Sequence, residues 1–210
     1  MARIELWNGD ICDLEVDAIV SPAATSLWMS TGIAGEIKRA GGDAVEFAAL
    51  RQAPVALGDA IVTPAGNLAA RVVIHAVSLE RDRRTNGPAI DHAARNAMAR
   101  ARELNLASIA FPALGTGIGG FPLEEAARIA VTAVRDELPG SPSIEHVIFA
   151  LRGAAAYEAF AQALSDGEPA PSRPVLQAEG WQSVGPGRAA GVAAEPEPGP
   201  QQRHGGGAAL

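Results

Sequence analysis

The sequence predicts a three-layer α/β fold with a largely parallel sheet. Short β-type runs alternate with helical patterns through residues 1–166, and this alternation is typical of a parallel sheet covered by helices. Hydrophobic residues make up 48% of the 210 residues, which is ample for a core, although only 4% are aromatic. No run of about 18 apolar residues occurs, so the sequence predicts no membrane-spanning helix.

Six short apolar runs are the predicted strands. They are Arg3–Trp7, Ala18–Val20, Ala60–Thr63, Val72–Val77, Ser108–Phe111 and Val147–Leu151.

Helical patterns separate these runs. The first long one begins at Gly87, because the proline that follows suits the first turn of a helix, and its apolar residues recur with a period of about 3.6. A second helix follows Pro122 and carries two glutamates in its first turn, where they complement the helix dipole. A third helix, Ala154–Leu164, closes the domain.

The composition changes near residue 166. Residues 167–210 are rich in Gly, Pro, Ala and Gln, and no apolar periodicity continues there. Such a segment buries too little surface to offset its ordering entropy, so we expect a folded domain over 1–166 and a disordered tail over 167–210. Trp181 in the tail is either an incidental exposed aromatic residue or part of a short motif that docks a partner.

The formal net charge of −7 excludes one class of function. Non-specific nucleic-acid binding depends on Lys and Arg side chains that neutralise phosphates, and an acidic chain is unsuited to it. Lys38 is the single lysine, and no P-loop motif occurs. The amino terminus lacks the long apolar stretch of a signal peptide, so we expect a cytoplasmic protein without a membrane partner.

The sequence also predicts no metal site. A lone Cys12 forms neither an internal disulfide nor a thiolate cluster, and we interpret it as a small core residue near a turn. His75 lies inside an apolar strand, which is typical of a hydrogen-bonded core histidine. His92 and His146 are isolated and lack the spacing of metal ligands.

A glycine-rich loop, Gly115–Gly120, is the most informative segment. It lies between a predicted strand and a predicted helix, at the carboxyl edge of the sheet, where open α/β folds bind ligands. Its backbone N–H groups can hold phosphate without a basic side chain, which is compatible with the acidic net charge. The alternative is a glycine-rich connector with no ligand.

A second such loop, Ser30–Gly35, opens a helix around Glu36–Ala40. Two glycine-rich loops on one face of the sheet can clamp a pyrophosphate from both sides. Neither loop has the Gly-x-Gly-x-x-Gly spacing, and no acidic residue follows at the distance that a ribose contact requires. A Rossmann dinucleotide site is therefore disfavoured.

Two polar segments near the strand ends have two interpretations each. Asp10 follows the first strand, where its carboxylate can accept a hydrogen bond from an exocyclic amine such as that of adenine; the alternative is a turn residue that caps its own backbone. The charged run Arg81–Asn86 is either a solvated loop or a flexible rim beside the pocket.

Taken together, the chain resembles the macrodomain family over about residues 1–164. The matching segments, in chain order, are Gly9–Ile11, Val16–Val20, Leu27–Gly42, Gly58–Ala60, Thr63–Leu68, Val73–Val77, Phe111–Gly117 and Gly120–Pro122. The resemblance implies an α/β/α sandwich with a mixed sheet that binds ADP-ribose, free or attached to a macromolecule, with no cofactor. Asp10 and Ile11 would contact adenine, and the two loops would hold the diphosphate and the distal ribose. The predicted binding residues are Asp10, Ile11, Thr31, Gly32, Ile33, Ala34, Gly115, Thr116, Gly117, Ile118, Gly119 and Arg152.

The chain departs from the family's hydrolytic pattern. Hydrolytic macrodomains commonly carry Asn-Ala-Ala-Asn after the second strand, and this chain has Ser21-Pro22-Ala23-Ala24, with Ala24 at the place of the ribose-contacting Asn. Ala34 stands where an Asp often positions a water, and alanine neither accepts a proton nor orients water. Gly119 replaces an aromatic residue expected against the distal ribose. Arg152 stands where a residue stacks on adenine, and its planar guanidinium can stack there.

Three functions follow from these observations. The first is a binding module for ADP-ribose, which Ala24 and Ala34 favour. The second is an ADP-ribosyl hydrolase or an ADP-ribose 1″-phosphate phosphatase that uses a water held by the diphosphate, or a side chain such as Thr25, Ser30 or Thr31. The third is a structural adaptor that acts through the tail and has no affinity for nucleotides. The sequence identifies no catalytic residue among them.

Overall fold

Strands and helices are interspersed along residues 2–166, the part of the chain that the computed structural model describes. In chain order they are β1 (Arg3–Asn8), β2 (Ala18–Ala24), α1 (Gly32–Gly41), α2 (Asp43–Leu50), β3 (Ala60–Pro64), β4 (Val72–Leu79), α3 (Gly87–Glu103), β5 (Ser108–Phe111), α4 (Leu123–Glu137), β6 (His146–Leu151) and α5 (Ala154–Ser165). The predicted tail, with Trp181, lies outside the described residues, so the boundary near residue 166 stays a prediction.

The six strands form one mixed sheet in the order β1-β6-β5-β2-β4-β3. Every neighbouring pair is parallel except β3 with β4, which is antiparallel and lies at one edge. The prediction of a largely parallel sheet is confirmed. Because β1, β6, β5, β2 and β4 run the same way, the loops that follow them meet at one edge of the sheet.

Helices cover both faces of this sheet, which confirms the three-layer architecture. Helices α3, α4 and α5 pack on one face, and α1 and α2 pack on the other. Alanine supplies much of the helix–sheet contact, which lets the layers approach closely. The few large aromatic side chains in the core are grouped: the ring centroids of Phe111 and Phe149 are 5.9 Å apart, and those of Phe149 and Phe160 are 4.9 Å apart.

The main differences from the sequence prediction are the end of β2, the start of α1 and the presence of α2. Strand β2 extends to Ala24, so the Ser-Pro-Ala-Ala segment lies within the strand and not after it. The pairing of β2 with β5 ends at Ile19, so Pro22 has no strand partner on the β5 side. The N–H that proline lacks therefore costs no hydrogen bond to β5. Helix α1 begins at Gly32, earlier than the predicted helix. Helix α2 had no predicted counterpart, since its eight residues are too short for a clear helical period.

Asp17 fixes the start of three neighbouring strands. Its Oδ2 accepts hydrogen bonds from the backbone N–H groups of Ala107 (2.7 Å) and Ser108 (3.1 Å), and its Oδ1 accepts one from Arg71 (3.0 Å). Burial opposes ionisation, but these hydrogen bonds outweigh it and lower the pKa of the carboxyl group. The starts of β2, β4 and β5 are thus held in register, which sets where their carboxyl ends lie.

His75 is a core residue, as predicted. It is fully buried in β4, and its Nε2 lies 2.9 Å from the Oγ1 of Thr63. Burial lowers the pKa of its imidazole to about 4, so the ring is neutral at physiological pH. Within residues 2–166 no helix is long and apolar enough to cross a membrane, and no cluster of three or more His, Cys, Asp or Glu side chains is placed to hold a metal ion.

Candidate functional site

A cleft of about 490 Å³ opens where the parallel strands end, and it is called the sheet-edge cleft below. Its walls come from the segments after β1, β6, β5, β2 and β4. All the predicted binding residues except Asp10 line it, namely Ile11, Thr31, Gly32, Ile33, Ala34, Gly115, Thr116, Gly117, Ile118, Gly119 and Arg152. The structure therefore brings together two loops that are more than 80 residues apart in the sequence.

The loop 115–119 presents unpaired backbone donors to the cleft. Within the described residues, no carbonyl or side chain accepts from the N–H groups of residues 115–119, whereas the next two donate back into the loop: Gly120 to Gly117 (3.1 Å) and Phe121 to Gly115 (3.1 Å). Gly115 has a φ of +79°, a conformation that favours glycine. The loop is thus a closed turn whose own N–H groups have no acceptor within the described residues.

Two glycines in this loop differ in their surroundings. A Cβ added at Gly117 would have no atom within 4 Å, so this position is open space inside the cleft. A Cβ at Gly119 would lie 2.7 Å from the carbonyl oxygen of Gly115 and 2.8 Å from side-chain atoms of Leu79 and Thr85. An aromatic side chain at Gly119 would therefore not fit this loop as it is folded, which gives a steric reason for the departure seen in the sequence.

The second loop leads into the first turn of α1, where Gly32, Ile33 and Ala34 lie. Their N–H groups precede the helical hydrogen-bonding pattern, and the N-cap Thr31 makes no side-chain capping bond. No other group among residues 2–166 accepts from them, and no acidic residue occupies the first turn. The positive end of the helix dipole is therefore directed, uncompensated, at the cleft.

A buried carboxylate positions this second loop. Glu46 of α2 is only 3% exposed; its Oε1 accepts a hydrogen bond from the N–H of Met29 (2.9 Å), and its Oε2 pairs with Lys38 Nζ (2.5 Å). The single lysine of the chain therefore has a structural partner and lies outside the lining of the cleft. Helix α2, which the sequence did not predict, holds the segment that precedes α1.

Asp10 lies beside the sheet-edge cleft, at its β1 and β6 end, between Gly9 and Ile11, which line it. Its Oδ1 accepts a hydrogen bond from the N–H of Cys12 (2.9 Å), which is the turn-capping role. Its Oδ2 lies 2.6 Å from Nη2 of Arg152, whose Nη1 lies 2.7 Å from Oε1 of Glu36. Asp10 therefore caps its own turn, as one of the two interpretations made from the sequence has it, and it also pairs with the arginine that lines the cleft. The contact with adenine stays a prediction.

The thiol of Cys12 is not a reactive group at this site. Burial, followed by the negative charge of Asp10, raises its pKa to about 12, so the thiolate is not formed at physiological pH. Cys12 is half-buried and packs against the core on the α1 face, as the sequence indicated.

Ala24 and Ala34 both line the sheet-edge cleft. Among residues 2–166, the side chains that line it include no carboxylate and no imidazole; its ionisable members are Arg81, Arg83 and Arg152.

The opposite end of the cleft contains residues that the sequence analysis did not name. Trp28 and Ser26 follow β2, and Leu79 ends β4. Trp28 is 63% exposed although its neighbours Leu27 and Met29 are buried. The sequence did contain a signal for an exposed tryptophan. Trp28 lies between two apolar residues just before a glycine loop, and its side chain cannot point inward together with those of both neighbours. Arg81 and Arg83 line the same end, which agrees with the rim interpretation of the Arg81–Asn86 run.

Comparison with known sequences identifies the family. A family model described as Macro domain matches residues 20–130. A Macro domain-containing protein of Caldanaerobacter subterraneus subsp. tengcongensis is 41% identical over 170 residues, which cover 78% of this chain and 97% of that protein. An uncharacterized protein of Mycobacterium tuberculosis is 43% identical over 168 residues, covering 80% of this chain and 46% of that protein. This chain thus spans about half the length of its mycobacterial relatives.

Solved structures agree with the sequence relatives. A mutant of the Oceanobacillus iheyensis macrodomain with ADPR has a TM-score of 0.71 at 26% identity, and the match covers 78% of this chain and 92% of that chain. The Trypanosoma brucei macrodomain in complex with ADP-ribose has a TM-score of 0.71 at 27% identity, covering 77% and 68%. As the resemblance in sequence predicted, this chain belongs to the Macro domain family.

Proposed function

We propose that the sheet-edge cleft binds ADP-ribose, free or attached to a macromolecule. The observation that carries this proposal is the convergence of unpaired backbone N–H groups from two loops on one cleft. They belong to Gly32, Ile33, Ala34, Gly115, Thr116, Gly117, Ile118 and Gly119. A row of such backbone donors is complementary to a diphosphate, and it needs no basic side chain.

The orientation of the ligand follows from what lies at each end of the diphosphate site. At the β1 and β6 end, the Asp10 carboxylate has lone pairs beyond those used by Cys12 and Arg152, and it can accept from the exocyclic amine of adenine. The N–H of Ile11 has no acceptor within residues 2–166 and can donate to a ring nitrogen. We therefore assign adenine to this end, with the guanidinium of Arg152 against the ring face.

The distal ribose then lies at the other end, beside Ala24 and Ala34. Both are apolar, so the protein holds the sugar by shape and by the neighbouring backbone. This supports recognition as the function, since a hydrolase of the usual kind needs a carboxylate or an amide at these places. The solved macrodomains with ADPR and with ADP-ribose support the ligand class, and they are separate proteins at 26% and 27% identity.

Calorimetric titration of the full chain with ADP-ribose, AMP and ribose 5-phosphate tests the proposal. We expect saturable binding of one ADP-ribose per chain, and weaker binding of AMP and of ribose 5-phosphate, because each fragment occupies only part of the cleft. The absence of saturable ADP-ribose binding would reject the proposed function. Ribose 5-phosphate binding as tightly as ADP-ribose would reject the adenine site.

A further inference from the structure

We infer that Arg152 changes its carboxylate partner when ADP-ribose binds: it leaves Asp10 and is held by both oxygens of Glu36. Glu36 is then a positioning residue of the site, because it acts on the ligand through the arginine. The inference rests on the proposed function, since it takes adenine to lie beside Asp10. It adds how the acceptor for adenine becomes free, and it gives Glu36 a role in binding.

The acceptor that we assign to adenine is paired with Arg152 in the structure. Oδ1 of Asp10 accepts from the N–H of Cys12 (2.9 Å) within its own turn, so Oδ2 is the oxygen that remains for a ligand. Nη2 of Arg152 lies 2.6 Å from this Oδ2. The N–H groups of a guanidinium lie in its plane, so the group approaches Oδ2 edge-on and competes there with the amine of adenine. Binding of adenine at Oδ2 therefore favours release of the arginine.

Glu36, in the second turn of α1, has an unused oxygen beside the same arginine. Its Oε1 accepts from Nη1 of Arg152 (2.7 Å), whereas its Oε2 is buried and has no hydrogen-bond partner within residues 2–166. A buried carboxylate oxygen without a donor is costly, because it has lost hydration without gaining a hydrogen bond. A second N–H of the guanidinium would satisfy Oε2 in the bidentate geometry that arginine and carboxylate groups adopt.

Asp10 and Glu36 share the guanidinium of Arg152 at short range. Burial raises the pKa of the Cys12 thiol, the negative charges of Asp10 and then of Glu36 add to the rise, and the positive charge of Arg152 opposes it. Cys12 thus senses all three charged groups, which places them close together. Arg152 cannot pair bidentately with both carboxylates at once, so it has two alternative positions, and one of them leaves Asp10 to a ligand.

The backbone beside Arg152 is fixed, whereas its side chain has room to move. The carbonyl of Leu151, at the end of β6, accepts from the N–H of Gly9 (3.0 Å). The side chain of Arg152 is 46% exposed, and within the described part of the chain its charge pairs with Asp10 and Glu36 alone. Rotation about its side-chain bonds can therefore carry the guanidinium from one carboxylate to the other without a change in the fold.

The exchange gains a hydrogen bond. In the structure each of the two carboxylates accepts one N–H from Arg152. With adenine bound, Glu36 accepts two N–H groups from the arginine and Asp10 accepts the amine of the base. The guanidinium, released from the edge of Asp10, can then turn its flat face to the adenine ring.

Calorimetric titration of the full chain and its variants with ADP-ribose and with ribose 5-phosphate, which lacks adenine, tests the exchange. Glu36→Ala leaves Asp10 as the partner of Arg152, so we expect its affinity for ADP-ribose to fall about tenfold, the effect of one hydrogen bond to a charged group. Its affinity for ribose 5-phosphate should stay native. Glu36→Gln keeps the size of the side chain and one acceptor oxygen but not the second, so it should also bind ADP-ribose more weakly.

The double variant Glu36→Ala, Arg152→Ala separates exchange from simple stacking. Without the arginine nothing competes with adenine for Oδ2 of Asp10, so we expect the double variant to bind ADP-ribose more tightly than Glu36→Ala does, on the order of fivefold. An arginine that only stacks on the ring would give the opposite order, because its removal would weaken binding further. Glu158→Ala, at an exposed acid of α5 outside the cleft, is the matched control and should bind as the native chain does.

Three results would overturn the inference: a double variant that binds no more tightly than Glu36→Ala, native affinity for ADP-ribose in Glu36→Gln, and an equal loss of affinity for both ligands in Glu36→Ala. Melting temperatures show that each variant is folded. All three results are measured against ADP-ribose binding by the native chain. They are therefore distinct from failure of the proposed function, in which the native chain itself does not bind ADP-ribose.

Discussion

Asp10 and Arg152 form an ion pair at one end of the sheet-edge cleft, with 2.6 Å between Oδ2 and Nη2. The pair joins the turn after β1 to the end of β6, and Glu36 of α1 holds the other side of the same guanidinium. Both partners are partly exposed, so the pair adds little to folding stability. Its consequence is positional: the plane of Arg152 is fixed beside the carboxylate to which we assign adenine.

Replacing Asp10 tests the adenine site. Asp10→Ala should weaken ADP-ribose binding by about 1–3 kcal/mol, the usual range when a polar partner that lies buried in the complex is removed. Ribose 5-phosphate, which lacks adenine, should bind to the variant no worse than to the native chain. Calorimetry with both ligands measures the difference.

Two further variants separate the roles of Asp10. Asp10→Asn keeps an acceptor for the N–H of Cys12 and removes the charge that orients Arg152, so it should retain the turn and still lose affinity for ADP-ribose. Asp13→Ala, an exposed acid on the same turn, is the control and should bind as the native chain does. If both ligands lose affinity alike in Asp10→Ala, the residue is structural and the adenine assignment is wrong.

Gly117→Val tests whether the backbone of the loop contacts the ligand. A Cβ at this position meets no protein atom within 4 Å, so the variant should keep the native melting temperature. The added side chain would occupy the space assigned to the diphosphate, and we expect ADP-ribose binding to be abolished. Gly140→Val, at an exposed glycine outside the cleft, controls for the general effect of valine on the fold. Native-like affinity for ADP-ribose in Gly117→Val would show that this loop is not part of the binding site.

Ala24 and Ala34 are the positions to change in a test of catalysis. We expect the native chain to release little or no ADP-ribose from ADP-ribosylated acidic side chains. The double variant Ala24→Asn, Ala34→Asp should release more, because it adds a ribose contact and a carboxylate that orients water. A carboxylate at residue 34 is compatible with folding, since it lies in the first turn of α1. Release is measured on a modified peptide, with each single variant as a control.

Robust turnover by the native chain in that assay would contradict recognition as the function. It would mean that a group outside the usual pattern, such as the hydroxyl of Thr31 or a water held by the diphosphate, carries the chemistry.

His75 makes stability depend on pH in a defined window. Burial lowers its pKa to about 4, whereas in the unfolded chain the ordinary value is 6.5. Between these values the unfolded state binds a proton that the folded state does not, so the free energy of unfolding falls as pH decreases from about 6.5 to about 4. The loss approaches roughly 3 kcal/mol at the acid end of the window.

Urea denaturation of the native chain and of His75→Gln, at several pH values across the window, measures this effect. Gln keeps a polar partner for Thr63 and does not titrate, so its unfolding free energy should change much less between pH 6.5 and 4. Measurement at pH 7.5, above this window, gives any loss of stability in the variant that does not depend on the titration of His75. Parallel curves for the two proteins would show that His75 is not the source of the acid sensitivity.

The site was predictable where it depends on local sequence and the alternation of elements. The loop 115–119 follows a strand and precedes a helix, and in a parallel sheet this position is enough to place the loop at the carboxyl edge. Partners that meet only through the fold were not predictable: Glu36 and Arg152 are 116 residues apart, and nothing in either local sequence indicates the other. The length of β2 was missed because proline normally argues against a strand interior. Trp28 was missed because its neighbours have the same apolar character.

A crystal structure of the chain with bound ADP-ribose tests the central claim most directly. We predict the adenine ring beside Asp10 and Arg152, the diphosphate oxygens within hydrogen-bond distance of the N–H groups of residues 32–34 and 115–119, and the distal ribose toward Ala24 and Ala34. A ligand bound in the reverse direction, or at a place outside the sheet-edge cleft, would contradict the account.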